Sequence, residues 1–178
     1  VPFTKVGGNK FNNLLKMTRI NKLIFNSAFT ANVVKKQLPL VSSAIIYPPI
    51  DTEGFKPGKK ENLILSVARF DSPSHAKRQD VLIEAFKKLY SQNKNYQLIL
   101  AGAVKGEGGE EYLDSLKQSV GKLPIKFVVT PDFDKLKQLY TKAKIFWHAA
   151  GFGIDERQEP EKVEHFGITV VEAMSAGM

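Results

Sequence analysis

The hydrophobic positions of residues 61–150 follow two alternating patterns. Continuous apolar runs, typical of strands buried on both faces of a sheet, occur at 62–68, 96–102, 125–129 and 143–150. Apolar residues at helical spacing predict helices between them at 77–92, at 109–120 and after Pro131-Asp132. Repeated strand–helix units predict a doubly wound, parallel α/β sheet, and such sheets bind ligands at the carboxyl ends of their strands.

The first 58 residues show a weaker form of the same pattern. They predict a short helix over 10–20, strands at 22–27 and 43–47, and a helix capped by Ser27 or Thr30 that runs to about Gln37. Pro48 and Pro49 end the second strand, because proline has no backbone N–H to donate. A polar link over 50–58 follows, so we place a domain boundary near residue 58, between domains 1–58 and 59–178.

Composition and charge narrow the class of protein. The chain has 178 residues, 43% of them hydrophobic and 25% charged, without cysteine, which excludes a disulfide framework and a zinc–thiolate site. We expect a globular, cytoplasmic protein. The net charge of +8 lies in the first third, where residues 1–60 contain ten Lys/Arg and two Asp/Glu. Such asymmetry is typical of contact with a polyanion or an anionic membrane, although we favour a solvated basic face slightly.

The two ends suggest a piece of a longer protein. Val1 is not methionine, and the chain stops at Met178 directly after a glycine of the kind that ends a helix. We therefore expect truncation at both ends, and we expect the chain alone to be inactive.

Two glutamates near the end, Glu164 and Glu172, are separated by seven residues that include a glycine and the start of a helix-like run. A helix N-terminus after a glycine turn presents free N–H groups and a partial positive charge, which suit a phosphate. A carboxylate one turn into the helix can accept hydrogen bonds from sugar hydroxyls.

Cations surround the loop after the first strand of the larger region. Arg69 directly follows the strand, and Lys77 and Arg78 stand at the predicted start of the next helix. Cations on the two sides of a loop can clamp a diphosphate. A basic helix start without a ligand is electrostatically unfavourable, which favours the phosphate interpretation over a chance arrangement.

The run from Glu164 to Gly177 resembles the nucleotide-sugar-binding motif of the retaining family 4 glycosyltransferases, which have the GT-B fold. That motif has Glu, seven residues and Glu, with Phe-Gly inside and Glu-Ala-Met-x-Ala-Gly at its end. The family also has an Arg after a strand and then Lys-x-x-Asp-x-Leu-Ile, which stands here at residues 77–83. The domain-crossing pattern Pro-Pro-x-Asp with Phe-x-Pro stands here at residues 48–57.

The resemblance implies a Rossmann-like domain that binds the donor of a sugar transfer proceeding with retention of anomeric configuration. It implies a UDP- or GDP-sugar as donor, no further cofactor or metal, and a glycan or lipid-linked acceptor bound by the N-terminal domain. In it, Arg69 and Lys77 bind the diphosphate, Glu172 holds the ribose hydroxyls and the catalytic Glu164 orients the sugar. Backbone N–H groups of Phe166, Gly167 and Ile168 meet the sugar and the distal phosphate.

The remaining polar stretches and histidines are mostly explained by structural roles. We predict that the glycine-rich stretch 102–109 is a turn near the nucleotide, and that Thr130-Pro131-Asp132 either borders the base, as the resemblance implies, or simply opens a helix. We expect His148 to be structural, and we do not assign His165 as the base. Six acidic residues lie from Asp155 to Glu172, and we expect their loop to be a flexible, solvated lip rather than a cation site.

Two alternatives remain open from the sequence. The basic first third suits a non-catalytic nucleic-acid-binding module, although its lysines are not interleaved with aromatic residues as in recognisable modules. A nucleotide-sugar epimerase of the same architecture explains the two glutamates less well. We therefore expect a nucleotide-sugar donor and a glycan or lipid-linked acceptor as partners, and no nucleic acid. Peripheral contact at the inner membrane face stays open beside the solvated basic face.

Overall fold

The computed structural model describes residues 18–36, 41–71 and 77–178. They form two compact units: one contains the described residues up to Pro49 together with Ile154–Gly167, and the other contains Ile50–Gly153 and Ile168–Met178. Phe55, in the predicted link, is buried in the core of the second unit. The domain boundary near residue 58 stays a prediction, and the helix predicted over 10–20 lies almost entirely outside the described residues.

The first unit contains a parallel strand pair and a helix. Strands β1 (Leu23–Phe25) and β2 (Ser43–Ile45) pair in parallel, and helix α1 (Ala28–Lys35) lies between them in the chain. Ser27 caps α1, because its side-chain oxygen accepts a hydrogen bond from the Thr30 N–H at 3.1 Å. The predicted strand–helix–strand order is confirmed for the described residues, with Ser27 rather than Thr30 as the cap.

The second unit is built on one parallel sheet in the order β5-β4-β3-β6. Its strands are β3 (Glu61–Val67), β4 (Gln97–Gly102), β5 (Ile125–Val129) and β6 (Ala143–Phe146). Its helices are α2 (Gln79–Gln92), α3 (Gly106–Ser119), α4 (Phe133–Lys142) and α5 (Ile168–Ser175). The predicted doubly wound α/β fold is confirmed, and the strand predicted at 143–150 ends at Phe146.

Helices cover both faces of this sheet, which explains the continuous apolar runs of its strands. Leu63, Leu65 and Val67 of β3 pack in a cluster with α4 and α5. Ile64 points to the opposite face and packs in a second cluster with α2 and α3. The sheet is therefore buried between two helical layers.

One local prediction was wrong. The stretch Gly106–Gly109 is the first turn of α3 rather than a turn near the nucleotide. Glycine is required there because a Cβ at Gly109 would lie 2.6 Å from the Phe70 carbonyl oxygen, so the close approach outweighs the poor helix propensity. In α5, Ala173 is buried while Met174 is 67% exposed, so the helix packs through its small residues.

Lys60 connects the ends of two helices that cover β3. Its ammonium donates to the carbonyl oxygens of Ala176 at 2.5 Å and Tyr140 at 3.4 Å, and burial lowers its pKa. Gly177 follows with a φ of 77°, as the predicted helix-ending glycine requires. A cation thus satisfies carbonyl groups that a helix C-terminus leaves unpaired.

We predict that Gly102→Ala lowers the free energy of unfolding by roughly 2 kcal/mol or more, measured by urea denaturation. A Cβ at this position would lie 2.0 Å from the Ala68 carbonyl oxygen, where β3 and β4 run side by side. Gly121→Ala is the matched control: its φ is 55°, but no atom lies within 4 Å of the added Cβ. The control should lose only about 1–2 kcal/mol of backbone strain. Equal losses in the two variants would contradict the close packing at Gly102.

Candidate active site

Arg69 lies where the sequence predicts it, directly after β3 at the carboxyl edge of the sheet. Its guanidinium contacts the Asp71 carboxylate at 3.1 Å, and the Arg69 side chain is 49% exposed while that of Asp71 is 5% exposed. The backbone around it is fixed, because the Phe70 N–H donates to the Ala103 carbonyl and Lys105 N–H to the Phe70 carbonyl, both at 2.9 Å. Arg69 is therefore a held cation with half of its surface open to a ligand.

Gln79 connects the end of β3 with the start of α2. It is 1% exposed, and its side-chain amide donates to the Arg69 carbonyl oxygen at 2.9 Å and to the Ala68 carbonyl oxygen at 3.4 Å. The backbone of Arg69 and the first turn of α2 are thus held together. The sequence did not reveal this contact, because a glutamine in a basic helix start is most often exposed.

The two adjacent cations before α2 differ in their surroundings. The Arg78 guanidinium donates to the Asp80 carboxylate at 3.1 Å and to the Phe152 carbonyl oxygen at 2.7 Å. Tyr112 donates its hydroxyl to the same carboxylate at 3.2 Å. Arg78 is therefore engaged within the second unit. Lys77 directly precedes it and is half-buried, and its role toward the diphosphate stays a prediction.

The contacts among Arg78, Asp80 and Tyr112 also affect the pKa values of these three groups. Burial raises the pKa of Asp80, but the hydrogen bond and charge of Arg78 outweigh it, so the pKa of the carboxyl is held below its ordinary value. The hydrogen bond to Asp80 raises the pKa of Arg78, against the effect of burial. Burial raises the pKa of Tyr112 to about 12. All three groups therefore keep their ordinary charge at neutral pH.

Glu172 lies on the side of α5 that faces α4. The fully buried Tyr140 donates its hydroxyl to Glu172 Oε2 at 2.7 Å, and the same hydroxyl lies 3.3 Å from the Thr169 carbonyl oxygen. Burial raises the pKa of Glu172, and the hydrogen bond from Tyr140 opposes that rise. Burial and the neighbouring carboxylate raise the pKa of Tyr140. In the sequence, Tyr140 is one of the apolar positions of the helix predicted after Pro131-Asp132, and nothing in the pattern indicates this bond.

A glycine turn opens α5, as predicted. Gly167 is buried and has a φ of 82°, a backbone conformation that favours glycine, and Ile168 begins the helix with 45% exposure. Phe166 precedes the turn, and its ring lies 5.7 Å from that of Tyr47 within the first unit. The binding roles predicted for the N–H groups of this turn stay predictions.

Glu164 belongs to the first unit, whereas Glu172 belongs to the second. Glu164 Oε1 accepts a hydrogen bond from the His165 N–H at 3.2 Å. The His165 ring stacks on Phe29 with centroids 6.1 Å apart, and its Nε2 lies 3.1 Å from the Pro160 carbonyl oxygen. The structure thus holds His165 through contacts of its own unit, and the catalytic role of Glu164 stays a prediction.

The remaining candidates have structural contacts. Asp132 caps α4 by accepting from the Lys135 N–H at 2.7 Å, so the helix-opening interpretation is confirmed, while a role beside the base stays a prediction. The half-buried His148 stacks on Phe146. In the acidic loop, Glu159 pairs with Lys162. Within the part of the chain that the structure describes, three or more His, Asp or Glu side chains do not group as a metal site would require.

A parallel α/β unit with a held cation after its first strand and a carboxylate-bearing helix at its end belongs to the class of α/β domains that bind ligands at the carboxyl ends of their strands, and the cation suits an anionic ligand such as a nucleoside diphosphate. Residues 50–178 match the model of the family described as glycosyl transferases group 1. This match covers more than half of the chain, which therefore belongs to that family.

Curated relatives share one name, GDP-Man:Man(3)GlcNAc(2)-PP-Dol alpha-1,2-mannosyltransferase. The protein of Dictyostelium discoideum is 28% identical across 97% of this chain and 38% of its own length. The protein of Xenopus laevis is 29% identical across 76% of this chain and 28% of its own length. The protein of Homo sapiens is 27% identical across 87% of this chain and 32% of its own length. The chain thus spans less than two fifths of the length of these relatives.

Solved structures show the same fold. The pneumococcal O-GlcNAc transferase GtfA, in complex with UDP and GlcNAc, aligns with a TM-score of 0.64 and 16% identity over 94% of this chain and 31% of its own. TarM aligns with a TM-score of 0.65 and 14% identity over 98% of this chain and 32% of its own. These likenesses confirm the predicted GT-B type of fold. The narrower assignment to a retaining family 4 enzyme stays a prediction.

We predict that Arg78→Met lowers the free energy of unfolding at pH 7 by roughly 1–2 kcal/mol, a value reduced for the partial exposure of the ion pair. The folded-state pKa of Asp80 is lowered, so this stability is present above the unfolded pKa of about 3.9 and is lost as the pH falls through the folded value. The difference between wild type and variant should therefore shrink toward pH 3 in urea denaturation.

Lys87→Met is the control for Arg78→Met. Lys87 pairs with Glu84 on the exposed face of the same helix, at 2.6 Å, and its removal should change stability by less than about 0.5 kcal/mol. A loss as large as that of Arg78→Met, or a loss at Arg78 that does not depend on pH, would show that the network has no special role.

Proposed function

We propose that the protein transfers mannose from GDP-mannose to a lipid-linked glycan with retention of configuration, and that this chain supplies the donor site. The family match supports sugar transfer. The donor and the dolichol-linked acceptor are those printed in the names of the curated relatives. Mannose is α-linked to the diphosphate in GDP-mannose, so an α product, as in those names, means retention.

The observation that carries this proposal is the arrangement at the carboxyl edge of the second unit. Arg69 is a held, half-exposed cation at the end of β3, Lys77 stands shortly before α2, and α5 begins at Ile168. Free N–H groups at the start of α5 and the two cations suit a diphosphate. Sugar transfer releases the nucleoside diphosphate, and these groups stabilise the negative charge that develops on it.

The two glutamates take different roles in this proposal. Glu172 accepts hydrogen bonds from the ribose hydroxyls of the nucleotide, and Glu164 orients the donor sugar. Neither the nucleic-acid-binding module nor the epimerase is favoured, because the match to glycosyl transferases group 1 covers the whole region of the cations and of both glutamates.

A lipid-linked acceptor implies that the protein works beside a membrane. We place it at the cytoplasmic face, in peripheral contact through the basic first third of the chain, where residues 1–60 carry ten Lys/Arg and two Asp/Glu. In the described ranges, helices fall short of the length and apolarity that crossing a membrane requires.

We predict that Arg69→Ala and Lys77→Ala each weaken GDP binding by roughly 1.5–3 kcal/mol, the scale of a charge-assisted hydrogen bond. Isothermal titration calorimetry measures the affinity, and circular dichroism checks the fold. Lys87→Ala is the control, because it removes an equal charge from the far part of α2 and should leave the affinity nearly unchanged. Unchanged affinity in both site variants, with the fold intact, would rule out the diphosphate clamp.

We predict that, in the full-length protein, Glu164→Gln leaves the Kd for GDP nearly unchanged and lowers the transfer rate from GDP-mannose by roughly 100-fold or more, because it removes an interaction with the sugar in the transition state. The measurement is product formation with a lipid-linked glycan acceptor. Glu161→Gln, in the same acidic loop, is the control and should retain transfer. Full activity of Glu164→Gln would remove this residue from the site.

A further inference from the structure

We infer that Tyr140 is a positioning residue of the donor site: its buried hydroxyl holds one oxygen of Glu172, so that the other oxygen is presented to the ribose of the nucleotide. This inference rests on the proposed function. It assigns a role to a residue of α4 that lies outside the glutamate motif and is 32 positions away in the chain.

Tyr140 is enclosed by the core of the second unit. Its side chain is fully buried, and its ring lies edge-on to Phe55 at 5.0 Å and stacks on Phe146 at 6.1 Å. A ring held by aromatic neighbours on two elements has little rotational freedom. Its hydroxyl therefore marks a fixed point to which the carboxylate on α5 is attached.

The two carboxylate oxygens of Glu172 differ in their hydrogen-bond partners. Oε2 accepts from the Tyr140 hydroxyl at 2.7 Å, and Tyr140 is the sole described residue with which this carboxylate forms a hydrogen bond. A carboxylate has about four acceptor positions, so Oε1 keeps its full capacity. The half-buried state of Glu172 leaves this oxygen able to take the two hydroxyls of one ribose.

The same contact controls the charge of Glu172. Burial raises the pKa of this carboxyl, and the hydrogen bond from Tyr140 lowers it, so loss of the hydroxyl leaves burial with less opposition. Around α5, the groups that face this region are the Tyr140 hydroxyl and Thr169 carbonyl, with the Lys60 ammonium at the C-terminal end. Tyrosine and lysine ordinarily titrate well above weakly acidic pH, so among these groups only Glu172 can cause a transition there, and the Glu172→Ala variant checks that it does.

The test measures ribose preference, defined as the Kd for 2′,3′-dideoxy-GDP divided by the Kd for GDP, by calorimetry between pH 5 and pH 8. The phosphates of the two ligands titrate alike, so the ratio cancels their contribution. In the wild type we expect a ratio of about tenfold or more at pH 8 that falls toward one as Glu172 is protonated. In Tyr140→Phe we expect a ratio about threefold smaller and a midpoint at higher pH.

A coupling cycle separates positioning from packing. In Glu172→Ala the ratio should be near one at every pH, and adding Tyr140→Phe should not change it further. The matched control is Tyr112→Phe, which removes another tyrosine hydroxyl bonded to a carboxylate and should leave the pH midpoint of the ratio unchanged. Thermal unfolding checks that all variants are folded.

The outcomes distinguish the inference from the proposed function. A wild type that does not bind GDP would overturn both. A wild type with a clear ribose preference that Tyr140→Phe leaves intact, in size and in midpoint, would overturn the positioning role and leave the proposed function standing. If Tyr140→Phe changes the ribose preference equally in the wild type and in Glu172→Ala, Tyr140 acts through packing alone. That result also overturns the inference.

Discussion

The structure of the second unit depends on β3 (Glu61–Val67), a strand that is apolar on both faces. Leu65 and Ile64 point in opposite directions and are both fully buried, so each face needs its own layer of helices. Here each of β3, β4 and β5 leads into a helix that packs on one of these faces and returns to a parallel strand, and parallel strands have their carboxyl ends at one edge. The demand for burial thus determines where Arg69 and the start of α2 lie, before any ligand is considered.

Polar side chains form hydrogen bonds near the ends of the strands and helices that make up these apolar layers. Gln79 donates a hydrogen bond to the backbone of Arg69, and Tyr140 donates one to Glu172. Lys60 donates hydrogen bonds to the carbonyl groups at the ends of α4 and α5. Each of these groups lies partly or fully out of water, where an unpaired polar atom costs more than its bond contributes. Packing and site geometry are therefore coupled, because the groups that hold the helices also orient the candidate ligand-binding residues.

The sequence predicted the fold through features that depend on local pattern. Apolar runs located the strands within a few residues, and the glycine before α5 signalled its positive φ. Contacts distant in the chain were not predictable: Tyr140 looked like an apolar core residue, and its use of Glu172 depends on how α4 packs on α5. Gly109 stood where a predicted turn met a predicted helix, and only the approach of Phe70 shows why the helix needs glycine there. The same limit hid the contact between the Arg78 guanidinium and the Phe152 carbonyl, which lies 74 positions away in the chain.

The central claim is that the carboxyl edge of the second unit binds a nucleoside diphosphate sugar. Hydrogen–deuterium exchange with and without GDP-mannose tests it directly, because it reports where along the chain the backbone becomes protected. The account predicts protection at the end of β3 around Arg69, at the start of α2 and in the first turn of α5, with unchanged exchange in the opposite-edge connections 93–96 and 121–124. Protection confined to those connections, or absent throughout the second unit at saturating ligand, would contradict it.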